Sequence, residues 1–246
     1  MFAVGCLIGF IGAGGAGVTV SILTIGFGLP IHTAVGTALA AMVFTTLAGS
    51  ISHFREGNVS IPPALVIGGA GMTGAIIGAD LSQGIPEHIL QPMAGFALWF
   101  LAFLVWLRIR MRTRLRSVSE DEPRRPLTPA QYAGGAGMGV FGGIGSAFFG
   151  VGMAPFIQLG MLTVMRQSLI RSVGSTMAAL TLISLSGSLA LARHGDVSLF
   201  YLVGVMIGMT AGSYVGAKFT RRAPVGLLRT AIVAVPFVGG IPLIFF

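Results

Sequence analysis

Charge is scarce in this sequence: acidic and basic side chains make up 9% of 246 residues, and the first 54 positions carry none of either sign. With 54% hydrophobic residues and a mean hydropathy of +0.90, too little polar material remains to clothe a core in a water-facing surface. Lipid is therefore the expected solvent. Cysteine is almost missing too, Cys6 standing alone, which excludes an internal disulfide and a thiolate metal cluster. His32, His53, His88 and His194 are scattered without ligand spacing, and no Ser-His-Asp arrangement is present. Neither a metal, a cofactor nor an enzyme activity is expected. The apolar runs also lack the alternation of polar and apolar residues that transmembrane barrel strands need, so the predicted fold is all-α. Because no basic residue precedes the first apolar stretch, that stretch is predicted to stay in the mature protein rather than serve as a cleaved secretory signal.

What the chain has in quantity is long apolar segments. They run over about 2–27, 33–52, 61–81, 91–107, 132–164, 172–192, 198–217 and 226–246, each of about 17 residues or more, enough for a helix to cross roughly 30 Å of hydrocarbon. A net charge of +8 would suit a nucleic-acid binder, but seven of the fifteen basic residues fall between Arg108 and Arg125. That stretch also holds Glu120, Asp121, Glu122, Pro123 and Pro126, and no aromatic residue interleaves with its arginines. It reads as a cytoplasmic loop obeying the positive-inside rule, and nucleic acid is not an expected partner. The predicted organisation is a first transmembrane repeat over 1–107, a linker over 108–129 and a second repeat over 130–246.

Shifting the sequence against itself by 138 positions, without a gap, brings landmarks into register. Gly12 meets Gly150 and Gly14 meets Gly152; Val35-Gly36-Thr37 meets Val173-Gly174-Ser175; Arg55, Gly57, Val59 and Ser60 meet Arg193, Gly195, Val197 and Ser198. Gly74, Gly78 and Pro86 coincide with Gly212, Gly216 and Pro224. Duplication accounts for this register, and in membrane proteins duplication is a common plan for transporters. Suppose each half opens with a segment that enters the membrane and returns, followed by three spans; the halves are then inverted. With the linker inside, Arg55, Arg166, Arg171, Lys218, Arg221, Arg222 and Arg229 fall inside too, leaving only Arg193 outside. Parallel halves would place six of these basic residues outside, so charge favours inversion, in a bacterial inner membrane.

The segments expected to turn back are rich in glycine. The first holds Gly12, Gly14, Gly15 and Gly17; the second holds Gly139, Gly142, Gly143, Gly145, Gly150 and Gly152, then Pro155. Such residues cost about 1 kcal/mol (Gly) or 3 kcal/mol (Pro) per helix position, so helical hydrogen bonding is readily given up there. Gly12 to Gly17 formally fits G-x-G-x-x-G, but no strand pattern precedes it and no acidic residue follows at about 20 positions, which excludes a dinucleotide site. A broken helix offers free amide N–H groups and a positive dipole end to an anion; close helix packing is the alternative use of these glycines. The Gly204, Gly208, Gly212, Gly216 stripe and the Gly74, Gly78 pair read as small-residue packing surfaces, which serve internal and intermolecular contacts alike and leave a homo-oligomer open. Gly36-Thr37 and Gly174-Ser175 place a hydroxyl beside a glycine early in equivalent spans, either bonded back to the preceding turn or shared as a ligand site. His53, beside Arg55 and Glu56, is either a solvated interfacial side chain or a proton-coupling or gating group.

Taken in order, Gly12 to Gly17, Pro30, Gly36-Thr37, Ser52-His53, Gly57-Asn58-Val59 and Gly74 to Gly78 with Pro86 resemble the sulfite exporter TauE/SafE family, also grouped as toluene-sulfonate uptake permeases. Gly150 to Pro155, Gly174-Ser175 and Gly195-Asp196-Val197 carry the second copy, so the resemblance covers nearly the whole chain. It implies a secondary transporter of sulfur-containing anions such as sulfite or sulfonates. It would carry over the two glycine-rich breaks (Gly12, Gly14, Gly15, Gly150, Gly152) and the pairs Gly36-Thr37 and Gly174-Ser175, with His53 for coupling or gating. Rival readings are an anion channel, or a transporter of small carboxylates, on the same fold.

Overall fold

The computed structural model describes residues 2, 6, 16–111, 128–220, 234 and 237–245. Helices account for nearly all of them, and no strand occurs among the described residues. In chain order they are α1 (Ala16–Ser21, continued as a π-helical turn over Ile22–Gly26), α2 (Ile31–Arg55), α3 (Ile61–Gln83), α4 (Glu87–Met111), α5 (Pro129–Phe149), α6 (Ala154–Thr163), α7 (Leu169–Arg193) and α8 (Leu199–Thr220). A further helical stretch covers 237–245. Among the described residues, four helices are long and apolar enough to cross a membrane: Ile31–Arg55, Ile61–Gln83, Glu87–Leu107 and Arg171–Arg193. Large apolar side chains face outward, among them Phe96, Phe103, Phe141 at 70% exposure and Phe200 at 84%, as lipid-facing positions should.

Helix boundaries follow local chemistry. Pro30 precedes α2, Pro62 and Pro63 open α3 where their missing N–H groups cost nothing, and Thr128 caps α5 through a reciprocal bond with Gln131. Gly57 and Gly195 take φ of +73° and +83° just beyond the ends of α2 and α7, turning the chain out of a right-handed helix.

The elements recur at the interval seen in the sequence. Helices α2 and α7 both have 25 residues, and their ends lie 138 positions apart; so do the starts of α3 and α8. Even a backbone oddity repeats: Gly28 has φ +66°, and Arg166, 138 residues on, has φ +49°.

Directions can be read from contacts. Gly36 lies against Asp196, Thr46 receives a 3.1 Å hydrogen bond from Thr181, and Gly174 lies against His53 and Asn58, so α2 and α7 are antiparallel. Helices α3 and α5 are parallel, since Gly135 faces Val66 and Ile67 while Gly78 faces Ile144. Their seam is built of glycine on both sides: a Cβ at Gly74 would overlap the backbone of Val140, and one at Gly143 the backbone of Gly71. The packing role expected of Gly74 and Gly78 is met here. Gly204, by contrast, faces open space.

Gly139, Gly142, Gly143 and Gly145 correct the expectation that the whole segment gives up helical bonding. They lie inside the continuous 21-residue α5 and serve close packing; the break is confined to the residues after Phe149.

Candidate functional site

Helix α5 ends because its next residues cannot be right-handed. Gly150 has φ +67°, Gly152 +73° and Met153 +28°, three left-handed conformations in four residues. Helix α6 then starts with Pro155 in its first turn, and the Ile157 amide donates to the Met153 carbonyl at 3.0 Å. Helices α5 and α6 fold back on each other, with Gly145 against Met153, Gly142 against Ile157, and Gly160 against Met138. The pair is thus a hairpin whose tip is the break.

That tip is buried in the protein. Val151 is 2% exposed; a Cβ on Gly150 would come within 2.8 Å of Val35 and 3.0 Å of Val20, and one on Gly152 within 2.8 Å of the Met42 sulfur and 3.5 Å of Ala16. Only glycine combines these φ values with this crowding. The amides of Val151, Gly152, Met153 and Ala154 donate to no backbone acceptor among the described residues.

Ala16, the first residue described in α1, therefore sits beside the tip. Helix α6 spans 10 residues, about 15 Å, half of a bilayer's hydrocarbon thickness. Helix α6 runs from the tip to the end of the molecule where α7 begins; α1 runs from Ala16 to the opposite end, where α2 begins. The N-terminal end of α6 thus lies beside Ala16 of α1. The N-terminal end of α6 carries roughly half a positive charge, the arrangement that holds anions at helix termini. Gly12, Gly14 and Gly15 lie just ahead of Ala16, outside the described residues.

The two hydroxyl–glycine pairs are positioned differently. Thr37 Oγ1 accepts the Ser198 amide at 3.1 Å, and Ser175 Oγ accepts the Ser60 amide at 2.9 Å. A Cβ on Gly36 would overlap the carbonyl oxygen of Asp196, and one on Gly174 that of Asn58. All four contacts obey the 138-residue shift. Each pair thus clasps the loop that opens α8 or α3, the glycine allowing the approach and the hydroxyl capping the incoming chain. Because Gly174 sits at the level of His53, Thr37 and Ser175 are separated by about 16 residues of helix, roughly 24 Å. They are equivalent but not together, and one small anion cannot touch both. Thr37 also lies roughly 200° of helix rotation from Val35, which faces the tip.

His53 is in the last turn of α2, with Nδ1 3.8 Å from Glu56 Oε2. It stands eleven residues, about 16 Å, from Met42 at the tip, so it borders the end of the molecule rather than the break. At the other end, His194 Nε2 is 3.0 Å from Asp80 Oδ1 and Gln83 donates to Asp196 at 2.6 Å. No cluster of metal-ligating side chains occurs among the described residues.

The family model described as "Sulfite exporter TauE/SafE" matches residues 1–243. The chain belongs to this family. It is 38% identical to "Probable membrane transporter protein YdhB" of Bacillus subtilis (strain 168), over all of this chain and 98% of that one. It is 24% identical to YjnA of the same organism, covering 98% and 96% of the two chains, and 24% identical to a "Probable membrane transporter protein" of Xylella fastidiosa (strain 9a5c), covering 88% and 82%. No solved structure matches the chain. As a member of the TauE/SafE family with membrane-spanning helices, the protein is a membrane transporter.

Proposed function

We propose that this transporter exports small sulfur-containing anions, such as sulfite or organosulfonates, across the bacterial inner membrane by alternating access. One observation carries the reading: the glycine break that opens the half-length helix α6 is buried against Ala16 of α1, Val35 and Met42, and its amides donate to no backbone acceptor among the described residues. Gly150 and Gly152, with Gly12, Gly14 and Gly15 as their partners, form the binding site. Its donors are neutral, and they replace the anion's lost hydration without a fixed cation.

The halves, residues 1–107 and 130–246, form an inverted pair. Supporting this are the antiparallel course of α2 and α7, the shared 138-residue interval of helix ends, and the reciprocal clasps Thr37–Ser198 and Ser175–Ser60. Arg55, Arg166 and Arg171 share the end from which the 108–129 linker departs, and the positive-inside rule makes that end cytoplasmic. Gly36-Thr37 and Gly174-Ser175 then flank the outer and inner approaches, where each hydroxyl keeps its own proton to donate to a passing anion; His53 gates the inner approach. Rocking of one half on the other exposes the site alternately.

Proteoliposomes loaded with sulfite test this. Saturable efflux that is lost in a folded Gly152→Leu variant supports the site. Unchanged efflux in that variant refutes it, flux linear in concentration makes the protein a channel, and preference for acetate over sulfite redirects the substrate class to carboxylates.

A further inference from the structure

Where the end of α2, the start of α3 and the first half of α7 come together, the outer surface is hollow. A groove of about 520 Å3 is lined there by residues of all three helices, among them Ile51, Phe54, Ile61, Ala64, Leu65 and Leu182. Eight of its eleven lining residues are apolar, so it offers little to a polar solute. The Thr181 hydroxyl is already bonded, at 2.9 Å to the Met177 carbonyl and at 3.1 Å to Thr46 Oγ1. Phe54, Ile61 and Leu65 are exposed, which opens the groove to the surface that faces lipid.

One cation borders this apolar bed. Arg55, the last residue of α2, lines the groove. Its neighbour Glu56 is engaged elsewhere: Oε2 accepts the Asn58 Nδ2 amide at 3.1 Å and lies 3.8 Å from His53 Nδ1. Arg55 makes no ion pair among the described residues. Thr181 is level with Thr46, nine residues before Arg55 and so about 14 Å deeper in the membrane. The groove thus runs from a charged end at the interface to an apolar end among the spans, the polarity of a lipid with its headgroup.

We propose that this groove holds one anionic phospholipid of the cytoplasmic leaflet, its phosphate on Arg55 and part of one acyl chain along the apolar lining. The leaflet follows from the orientation proposed above; the site itself does not depend on the anion site at the tip. A second copy of this chain is the poorer occupant, because Arg166 and Arg171 share the end of Arg55 and like charges oppose the approach of two such ends. The lipid touches both halves of the chain, α2 and α3 of the first and α7 of the second, beside the bond from the Ser60 amide to Ser175. The 138-residue shift does not carry the lining across. Arg193 stands for Arg55, but Leu202 stands for Ala64, Phe44 for Leu182 and Ala192 for Phe54.

Native mass spectrometry of the full-length protein, released from nanodiscs of equal phosphatidylglycerol and phosphatidylcholine, tests this. One guanidinium near the surface favours an anionic over a zwitterionic headgroup by roughly fivefold. In Arg55→Gln the ratio of retained phosphatidylglycerol to phosphatidylcholine is expected to fall by about that factor, with a lipid still retained. Ala178→Leu adds bulk at a half-buried lining position and should instead reduce retention of both lipids. Arg193→Gln should leave both readouts unchanged. A ratio unaltered by Arg55→Gln overturns the proposal, even where Ala178→Leu fails to fold. An equal fall in Arg193→Gln also overturns it, since net charge then sets the preference. Protein that leaves the nanodisc as a lipid-free dimer overturns it in favour of a second copy on this face.

Discussion

Replacing Gly36 by alanine is a demanding test of how the two halves are joined. On helix propensity alone the change is favourable by about 1 kcal/mol, since Gly36 lies well inside α2. The added methyl, however, would overlap the Asp196 carbonyl oxygen and meet the Val197 side chain at 3.2 Å. That carbonyl has little freedom to withdraw. The Asp196 amide is bonded to the Leu191 carbonyl at 3.0 Å, and the Ser198 amide to Thr37 at 3.1 Å. Displacing the loop costs about 1 kcal/mol for each bond loosened and about 1–3 kcal/mol in overpacking. The net expectation, with both bonds loosened, is a loss of about 2–4 kcal/mol, a fall in Tm of roughly 4–16 °C for a chain of this size. Gly69→Ala is the control, because Gly69 is also inside a helix but has nothing within 4 Å of the new methyl. Its Tm should hold or rise. Intrinsic tryptophan fluorescence during heating in mild detergent reads both; equal responses of Gly36→Ala and Gly69→Ala would refute the clasp.

Further outcomes are expected from the same geometry. Gly174→Ala should behave like Gly36→Ala, because its methyl would overlap the Asn58 carbonyl, and the two losses should be similar if the halves are equivalent. Arg166→Gly should raise Tm by a few degrees: the side chain is exposed while the backbone has φ +49°, a conformation costing an L-residue about 1–2 kcal/mol. In a Cys6→Ser background, cysteine at Arg55 or Arg171 should react with an impermeant maleimide only from the cytoplasmic side of oriented vesicles, and cysteine at His194 only from the other; labelling of all three from one side would end the inverted arrangement. Asp80→Asn should change Tm by less than about 1 kcal/mol equivalent, as its partner His194 and it are both substantially exposed, and a larger fall would mark the pair as a structural latch.

Much of the architecture was legible because it is written as period and register. A gapless 138-residue shift in sequence became the same shift in helix ends, in the φ of Gly28 and Arg166, and in the clasps between halves. The glycines divided less readably. Gly142 and Gly150 look alike in sequence, yet one lets α6 pack closely within a continuous helix and the other leaves the right-handed region, and only neighbours eight residues and more away decide which. Thr37 and Ser175 showed their equivalence but not their distance, since a symmetric pair can lie at one centre or at two opposite ends. The hydroxyls of Thr24, Ser146, Thr176 and Ser184, unpartnered among the described residues, gave no signal at all. Their distinction is a missing bond, and whether a helical hydroxyl bonds back to its own turn depends on rotamer and neighbours rather than on residue type.

The proposed anion site, with backbone donors at a helix end, also has a consequence for rate. An arginine or lysine at the tip would compensate the anion's lost hydration most strongly, but a full charge in a dry interior releases its partner slowly and must itself be stabilised when the site is empty. The described walls of the tip are Ala16, Val20, Val35, Met42 and Val151, all uncharged. Partial positive charge from the α6 terminus persists whether or not an anion is bound, because it belongs to the backbone, and it demands no proton or counter-ion to leave with the substrate. Transport requires binding firm enough to enter and loose enough to leave. Introducing a cation, as in Val35→Lys, should therefore tighten sulfite binding while slowing efflux; faster efflux would mean that release is not what limits the cycle.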